Sequence, residues 1–454
     1  MKTETKQPVM RIQDMTVGEP LRLILAFAIP LFIGNIFQQI YSIVDTMVAG
    51  YKLGDGAIAA IGATSSLYSL LMSFATGMNS GYSILVTQRF GAHDNKGMKQ
   101  SIAGMLLLNL LVTVVLSTVA LLFMEPLLRF MNTPDGIFDQ ALIYISIICG
   151  GMITTNCYNM FASILRAVGN SRSPLYFLII ACVINVALDI LLVVVIPIGI
   201  AGTAIATVLA QAVAALLCGL YVWKNYRSIL PTKEDFRVEQ SVFQDLISTG
   251  SAMALMLCVV DLGSVIFQRA NNSLGENIIA AHTAARRLIV ILMQPLATIS
   301  TANSTFVAQN FGAGKLNRIR EGLKKCYLAT TLWSVFACVL VYLFGAAMIR
   351  LTTGTSDPDI IANAVLSMRI HLPCYPALGI LVCLRTTMQS MGYKTAPVIS
   401  SCIELAMKLL SAYVAIPLIG FLGTCLTEPV TWVLMMIYLL VVYQKKKAVL
   451  FTEA

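Results

Sequence analysis

Apolar residues run along this chain in long, nearly unbroken blocks parted by short polar stretches. The blocks fall near 23–50, 57–86, 101–123, 137–160, 174–197 and 200–223. A second set follows near 245–272, 278–306, 326–349, 360–384, 397–417 and 421–443. Each is at least as long as the roughly 20 residues an α-helix needs to cross a bilayer. Their apolar character runs all round the helical wheel, so they are not surface helices with one buried face. Some exceed the minimum length, which tilt accommodates. The pattern predicts an all-α integral membrane protein with twelve transmembrane helices.

Composition agrees. Of the 454 residues, 57% are apolar and 12% charged, where a soluble chain is nearer a quarter charged. No stretch of ordinary composition is long enough for a large water-soluble domain, and no polar tract reads as disordered. The net charge of +9 matters through its placement. Taking the N-terminus as cytoplasmic, 23 of the 31 basic residues fall at the inner ends or in inner loops. Only Lys52, Arg129, Arg269 and Arg350 fall outside. That asymmetry predicts both termini in the cytoplasm and a location in the cell membrane. The excess faces anionic lipid and is no nucleic-acid signal. The first block is too long for a cleaved signal peptide and reads as a retained span. The eleven cysteines lie mostly inside apolar blocks and form no CxxC pair, so buried free thiols are expected in place of zinc ligands or a disulfide framework.

The chain also repeats itself. Residues 53–92 match 274–313 at a constant offset, with 15 of 40 positions identical, among them Leu53-Gly54 with Leu274-Gly275 and Phe90-Gly91-Ala92 with Phe311-Gly312-Ala313. Gly169 with Pro174 echoes Gly392 with Pro397, and Gly202-Thr203 echoes Gly423-Thr424. Two pseudo-symmetric six-helix bundles follow: an N-terminal lobe over 1–226, a cytoplasmic linker over 227–244 and a C-terminal lobe over 245–454. Six spans per half make the repeat parallel, about an axis along the membrane normal. Two like bundles about a central cleft suit alternating access better than they suit an enzyme.

Charged side chains at bilayer depth cost about 2.5 kcal/mol or more and persist with a partner or a purpose. Asp45 lies seven residues before Lys52, Asp189 eight before Pro197, and Thr207 seven past Ile200. At about 1.5 Å per residue, all three sit about 10–12 Å below the outer boundary. Asn185 precedes Asp189 by one helical turn, and Tyr41 precedes Asp45 likewise. Two carboxylates, an amide and hydroxyls thus converge at one depth. Such hard oxygen donors suit Na⁺, or a carboxylate pair sharing a proton; a structural hydrogen-bond cluster is the plainer alternative. In the second half, Glu428 mirrors Thr207 and Lys408 mirrors Asn185. Glu404 and Lys408 are spaced as a self-neutralising i, i+4 pair. Tyr41, Asp261, Lys408 and Glu428 are candidates to line the substrate cleft. Pro30, inside the first span, permits a kink.

Val44-Asp45-Thr46-Met47-Val48-Ala49-Gly50, Leu53-Gly54, Gln88-Arg89-Phe90-Gly91-Ala92 and Leu165-Arg166-Ala167-x-Gly169-x4-Pro174 together resemble the multidrug and toxic compound extrusion (MATE) family. The likeness covers nearly the whole chain, and the prokaryotic DNA-damage-inducible-type branch is the most similar. The resemblance implies a secondary active multidrug efflux transporter that exports organic cations or amphipathic drugs in exchange for H⁺ or Na⁺. It implies a cation site at Asp45, Asn185, Asp189 and Thr207, and a bending proline at Pro30. Some members carry a glutamate in the seventh span where this chain has Val260. A flippase or exporter of a lipid-linked or anionic substrate, as in relatives within the same superfamily, is the alternative. The lipid bilayer and small amphipathic or cationic substrates are the expected partners, with no cofactor beyond the coupling ion, no nucleic acid and no obligate protein partner. An intramembrane enzyme would need a metal motif or a nucleophile–base pair; HExxH and GxSxG are absent and the three histidines lie far apart in sequence.

Overall fold

The structure, a computed structural model, describes residues 13–450. Among them there is helix and no strand. The first half comprises α1 (Pro20–Leu53), α2 (Asp55–Gly91), α3 (Asn95–Phe130), α4 (Asp135–Gly150), α5 (Met152–Ala167), α6 (Arg172–Asp189) and α7 (Ile200–Asn225). The second comprises α8 (Gln240–Asn271), α9 (Glu276–Gly312), α10 (Leu316–Thr353), α11 (Pro358–His371), α12 (Tyr375–Ser390), α13 (Thr395–Leu410), α14 (Ile416–Ile419) and α15 (Phe421–Leu450). Among the described residues, eleven helices or helix runs are each long and apolar enough to cross a membrane. The pair α4–α5, bent by 42° at Gly151, supplies the twelfth. The tenth span is likewise interrupted, by a 3₁₀ turn at Leu372–Cys374 between α11 and α12.

Several helices outrun their apolar blocks. The block 101–123 becomes Asn95–Phe130, and its polar start is fixed by Asp94, whose carboxylate accepts from the Gly97 N–H at 2.9 Å. Hydropathy marks where lipid ends; capping marks where the helix ends.

By packing, the residues form two compact units. Unit 1 holds Ile29–Ala254, and unit 2 holds Met15–Ala28 together with the chain from Leu255 onward. The division therefore falls inside α1 and inside α8, whereas the lobes read from the sequence follow the covalent chain. Within unit 1, α2 packs on α3, α4 and α5, and α7 packs on α5 and α6. Within unit 2, α9 packs on α10, α11 and α12, and α15 packs on α12 and α13. The same pairing recurs six spans later, which is the sequence repeat made physical. Turn geometry repeats with it. Gly54, Gly169 and Gly199 have φ of 81°, 85° and 71°, and their counterparts Gly275, Gly392 and Gly420 have 95°, 85° and 58°. Only glycine takes these values without strain, so the conserved spacing of glycines within the chain is a spacing of turns.

The start of α8 lies in unit 1 against α2. A Cβ on Gly77 would stand 2.5 Å from the Ala254 Cα, and one on Gly81 would stand 2.6 Å from the Gly250 Cα. Small residues let two backbones approach where no water drives the association. In unit 2 the segment before α1 is tied down by side chains. Gln309 accepts from the Met15 N–H at 2.8 Å, and Asn310 donates to the Met15 carbonyl at 3.1 Å. Lys315 and Arg318 donate to the carbonyls of Thr16 and Gly18. Large side chains such as Phe123, Phe130, Leu343 and Leu418 are exposed, as a lipid-facing belt requires. The cysteines are free and mostly buried or half-buried; Cys402 is the exposed one.

Candidate functional site

Three helices of unit 1 build a polar cluster in an apolar setting. α1 brings Tyr41 and Asp45, α6 brings Asn185 and its last residue Asp189, and α7 brings Thr203 and Thr207. Asn185, Asp189 and Thr203 are fully buried and Asp45 nearly so. Asp45 and Asp189 are near neighbours in this cluster, and Tyr144 of α4 stands near both. The Tyr41 hydroxyl donates to Thr207 Oγ1 at 3.1 Å, and Thr207 in turn donates to the Thr203 carbonyl at 3.1 Å. Immediately after Asp189 the helix widens into a π-helical segment, Ile190–Val195. Such segments are uncommon and concentrate at functional positions.

What matters chemically is what these groups lack. Asp45 Oδ1, both Asp189 oxygens, both polar atoms of Asn185 and Thr203 Oγ1 have no hydrogen-bond partner. Buried polar atoms are nearly always satisfied, and orphans call for an unseen proton, water or ion. Two adjacent carboxylates cannot both stay ionised in an apolar setting without compensation. The donor set is carboxylate, amide oxygen and hydroxyl, which fits a hard cation or a shared proton. No cluster of three or more His, Cys, Asp or Glu suited to a metal ion occurs among the described residues. A cavity of about 150 Å³ adjoins the cluster through Tyr41. It is lined also by Gln38, Ser42 and Gln211, whose buried Oε1 is unpartnered. That volume holds a few waters and falls short of a drug-sized pocket.

Unit 2 uses its intramembrane charges differently. Lys408 Nζ donates to Glu404 Oε1 at 2.9 Å, to Ser264 Oγ at 2.9 Å and to the Val260 carbonyl at 3.5 Å. Arg385 approaches the other Glu404 oxygen at 3.8 Å. Arg286 donates to Glu428 Oε1, and His371 Nε2 lies 3.6 Å from Glu428 Oε2. Asp261, on α8, is half-buried with Oδ2 unpartnered. A second π-helical segment, Ser411–Ala415, follows α13 where the first follows α6.

The structure thus gathers Tyr41, Asp45, Asn185, Asp189 and Thr207 in unit 1. It places Asp261, Lys408 and Glu428 in unit 2, the latter two in separate ion pairs. Pro30 lies inside α1, two residues past Ala28, where the chain passes from unit 2 to unit 1. Sequence reasoning missed Thr203, Gln211, Tyr144 and Arg385. Thr203 and Gln211 were within reach, being one turn either side of Thr207; Tyr144 and Arg385 reach their partners only through packing.

Comparison with known proteins gives a consistent picture. The MatE family model matches residues 30–191 and 252–414. The probable multidrug resistance protein YpnP of Bacillus subtilis (strain 168) is 27% identical over 383 residues, covering 84% of this chain and 85% of its own. A protein described as an FAD transporter, from Shewanella oneidensis, is 24% identical and covers 91% of this chain and 92% of its own. Among solved structures, a MATE protein crystallised in a bent conformation superposes with a TM-score of 0.90 at 18% identity, covering 97% of this chain and 98% of its own.

Proposed function

Because the chain belongs to the MatE family, we propose that it is a secondary active exporter of organic cations or amphipathic drugs, driven by entry of H⁺ or Na⁺. The observation that carries this reading is the acid pair Asp45–Asp189 with its unpartnered amide and hydroxyl neighbours. An uncompensated pair of buried carboxylates is costly, so the cluster is stable when a cation or proton is present and less so when it is absent. Asn185 and Thr203 supply neutral oxygens to that cation, and Tyr41 holds Thr207 beside them. Loading and unloading bias the packing of α1, α6 and α7, and the π-helical segment after Asp189 gives α6 a place to yield. Pro30 frees the carbonyl of Ala26 and lets α1 bend. Coupling requires that cation and substrate differ in affinity between the two states. Asp261, with a free carboxylate oxygen, is the acid of unit 2 best suited to meet a cationic substrate; Lys408 and Glu428 shape the polar surface through their ion pairs. The cell membrane, with both termini on the cytoplasmic side, follows from the distribution of lysine and arginine.

A second reading has its own support. In unit 2 the intramembrane cations Arg286, Arg385 and Lys408 outnumber the acids Glu404 and Glu428 that they meet, and one relative is described as an FAD transporter. An exporter of an anionic or lipid-linked substrate would use that excess. Paired efflux assays in proteoliposomes, one with a fluorescent organic cation and one with a fluorescent organic anion, separate the readings. Uphill export of the cation alone supports the first; export of the anion alone replaces it with the second.

A further inference from the structure

Each unit has a corner where the turn between two spans meets the end of its last helix: the α5–α6 turn with α7 in unit 1, and the α12–α13 turn with α15 in unit 2. The turns are alike, with Gly169 and Gly392 both at φ 85°. In unit 1 the corner is filled. Asn170 accepts from the Ser173 N–H at 3.0 Å and donates to the Tyr226 hydroxyl at 2.8 Å. Tyr226 is buried and packs against Tyr221, whose ring meets Phe177 edge-on. In unit 2 the repeat sets Tyr393 in the place of Asn170 and Val442 in the place of Tyr221. No side chain caps the start of α13, and a cavity of about 510 Å³ stands where unit 1 is packed. That volume is within the range of small-molecule sites.

The lining has one chemical sign. Tyr393, Lys394, Thr395, Tyr438 and Lys446 bring hydroxyl and ammonium donors, and no acid lines the cavity. Tyr438, Val442 and Lys446 follow at one-turn intervals on α15, so a single face of that helix forms one wall. The Lys446 ammonium lies 5.5 Å from the centroid of the Tyr393 ring, a cation–π distance. It is held over the cavity by that ring, and a ring leaves its N–H donors available to an anion. Beside this wall Ile437 and Val441 of α15 are exposed, as is Ile399 of α13. Such surface is what acyl chains cover.

We propose that this corner of unit 2 binds the phosphate headgroup of an anionic phospholipid, with Lys446 and the hydroxyls of Tyr393, Thr395 and Tyr438 on the phosphate and the acyl chains along α13 and α15. Lysine serves phosphate as a point charge. The distribution of lysine and arginine assigns this end of unit 2 to the cytoplasmic side, where anionic lipid lies. A soluble organic phosphate shares the headgroup chemistry; the exposed apolar flank favours the lipid. Once bound, the lipid ties the start of α13 to the end of α15, as Asn170 and Tyr226 tie α6 to the chain just past α7. The site goes beyond the antiport reading and does not depend on it.

Native mass spectrometry of the full chain in detergent tests this, because it counts bound lipids one at a time. The probe is phosphatidylglycerol, set against phosphatidylcholine for charge and against glycerol phosphate for a soluble source. Wild type is expected to take up a first phosphatidylglycerol well ahead of phosphatidylcholine. Lys446→Gln is expected to weaken that first binding about tenfold, the effect of losing a hydrogen bond to a charged group. Val442→Trp fills the cavity, leaves every charge in place and is expected to weaken it likewise. Lys445→Gln removes the neighbouring lysine, which is exposed and outside the lining, and is expected to bind as wild type does. Equal binding of the two lipids by wild type overturns the proposal. So does equal weakening by Lys445→Gln and Lys446→Gln, or first binding that survives Val442→Trp. Glycerol phosphate bound as tightly as the lipid overturns the choice of lipid as the ligand.

Discussion

At the scale of single residues, the two units treat buried charge in opposite ways. Unit 1 leaves Asp45 and Asp189 without a basic partner, while unit 2 surrounds Glu404 and Glu428 with bases. The consequences differ. Replacing Asn185 by Leu keeps the branched shape of the side chain but removes an oxygen beside the acids. Cation affinity should fall about 10- to 100-fold, the equivalent of a hydrogen bond to a charged group, read as the shift in the ion concentration that half-drives efflux. Replacing Lys408 by Met should cost stability, because it strips Glu404 of its nearest counter-charge; breaking a buried pair costs about 3–5 kcal/mol. The Lys408→Met, Glu404→Gln double variant should recover most of that loss in a thermal denaturation series. The acid cluster was legible in the chain because Tyr41, Asp45, Asn185 and Asp189 are spaced by helical turns and sit at a common depth. Arg385 was not, because its position near an inner loop says nothing of the Glu404 it turns toward.

At the scale of elements, α1 and α8 are divided between the two units. Each begins in one unit and ends in the other, and α1 has Pro30 close to its change of partner. Pro30→Ala restores a helical N–H and should leave the fold intact or more stable, since an interior proline costs about 3 kcal/mol. Efflux should nonetheless fall, and a thermal shift measured beside transport would separate the two effects. Gly77→Ala tests the approach of α2 and α8 in unit 1. Its new Cβ meets backbone, not a movable side chain, so a loss of about 1–3 kcal/mol is expected from overpacking. The spans were readable from hydropathy, and the break in the first of them from Pro30 itself. The π-helical segments after Asp189 and Leu410 were not, because an apolar run looks alike whether it winds as α or as π. The division of α1 and α8 between units escaped for a similar reason: both halves of each helix are equally apolar.

At the scale of the whole molecule, the repeat is the feature the chain states most openly, and each unit folds with the same helix pairing and the same positive-φ glycines. The chemistry is not repeated. Where unit 1 has Asn185 and Thr207, unit 2 has Lys408 and Glu428, so only one half offers an acid pair open to a cation. The proposed function therefore assigns the driving ion to unit 1. The most direct test is uphill efflux of a fluorescent organic cation from proteoliposomes under an imposed Na⁺ gradient or an imposed pH gradient, with wild type beside Asp45→Asn and Asp189→Asn. Gradient-driven efflux in wild type, lost by about tenfold or more in both variants, is the predicted result, a tenfold change corresponding to about 1.4 kcal/mol. Efflux that survives both substitutions with its ion dependence intact would contradict the account.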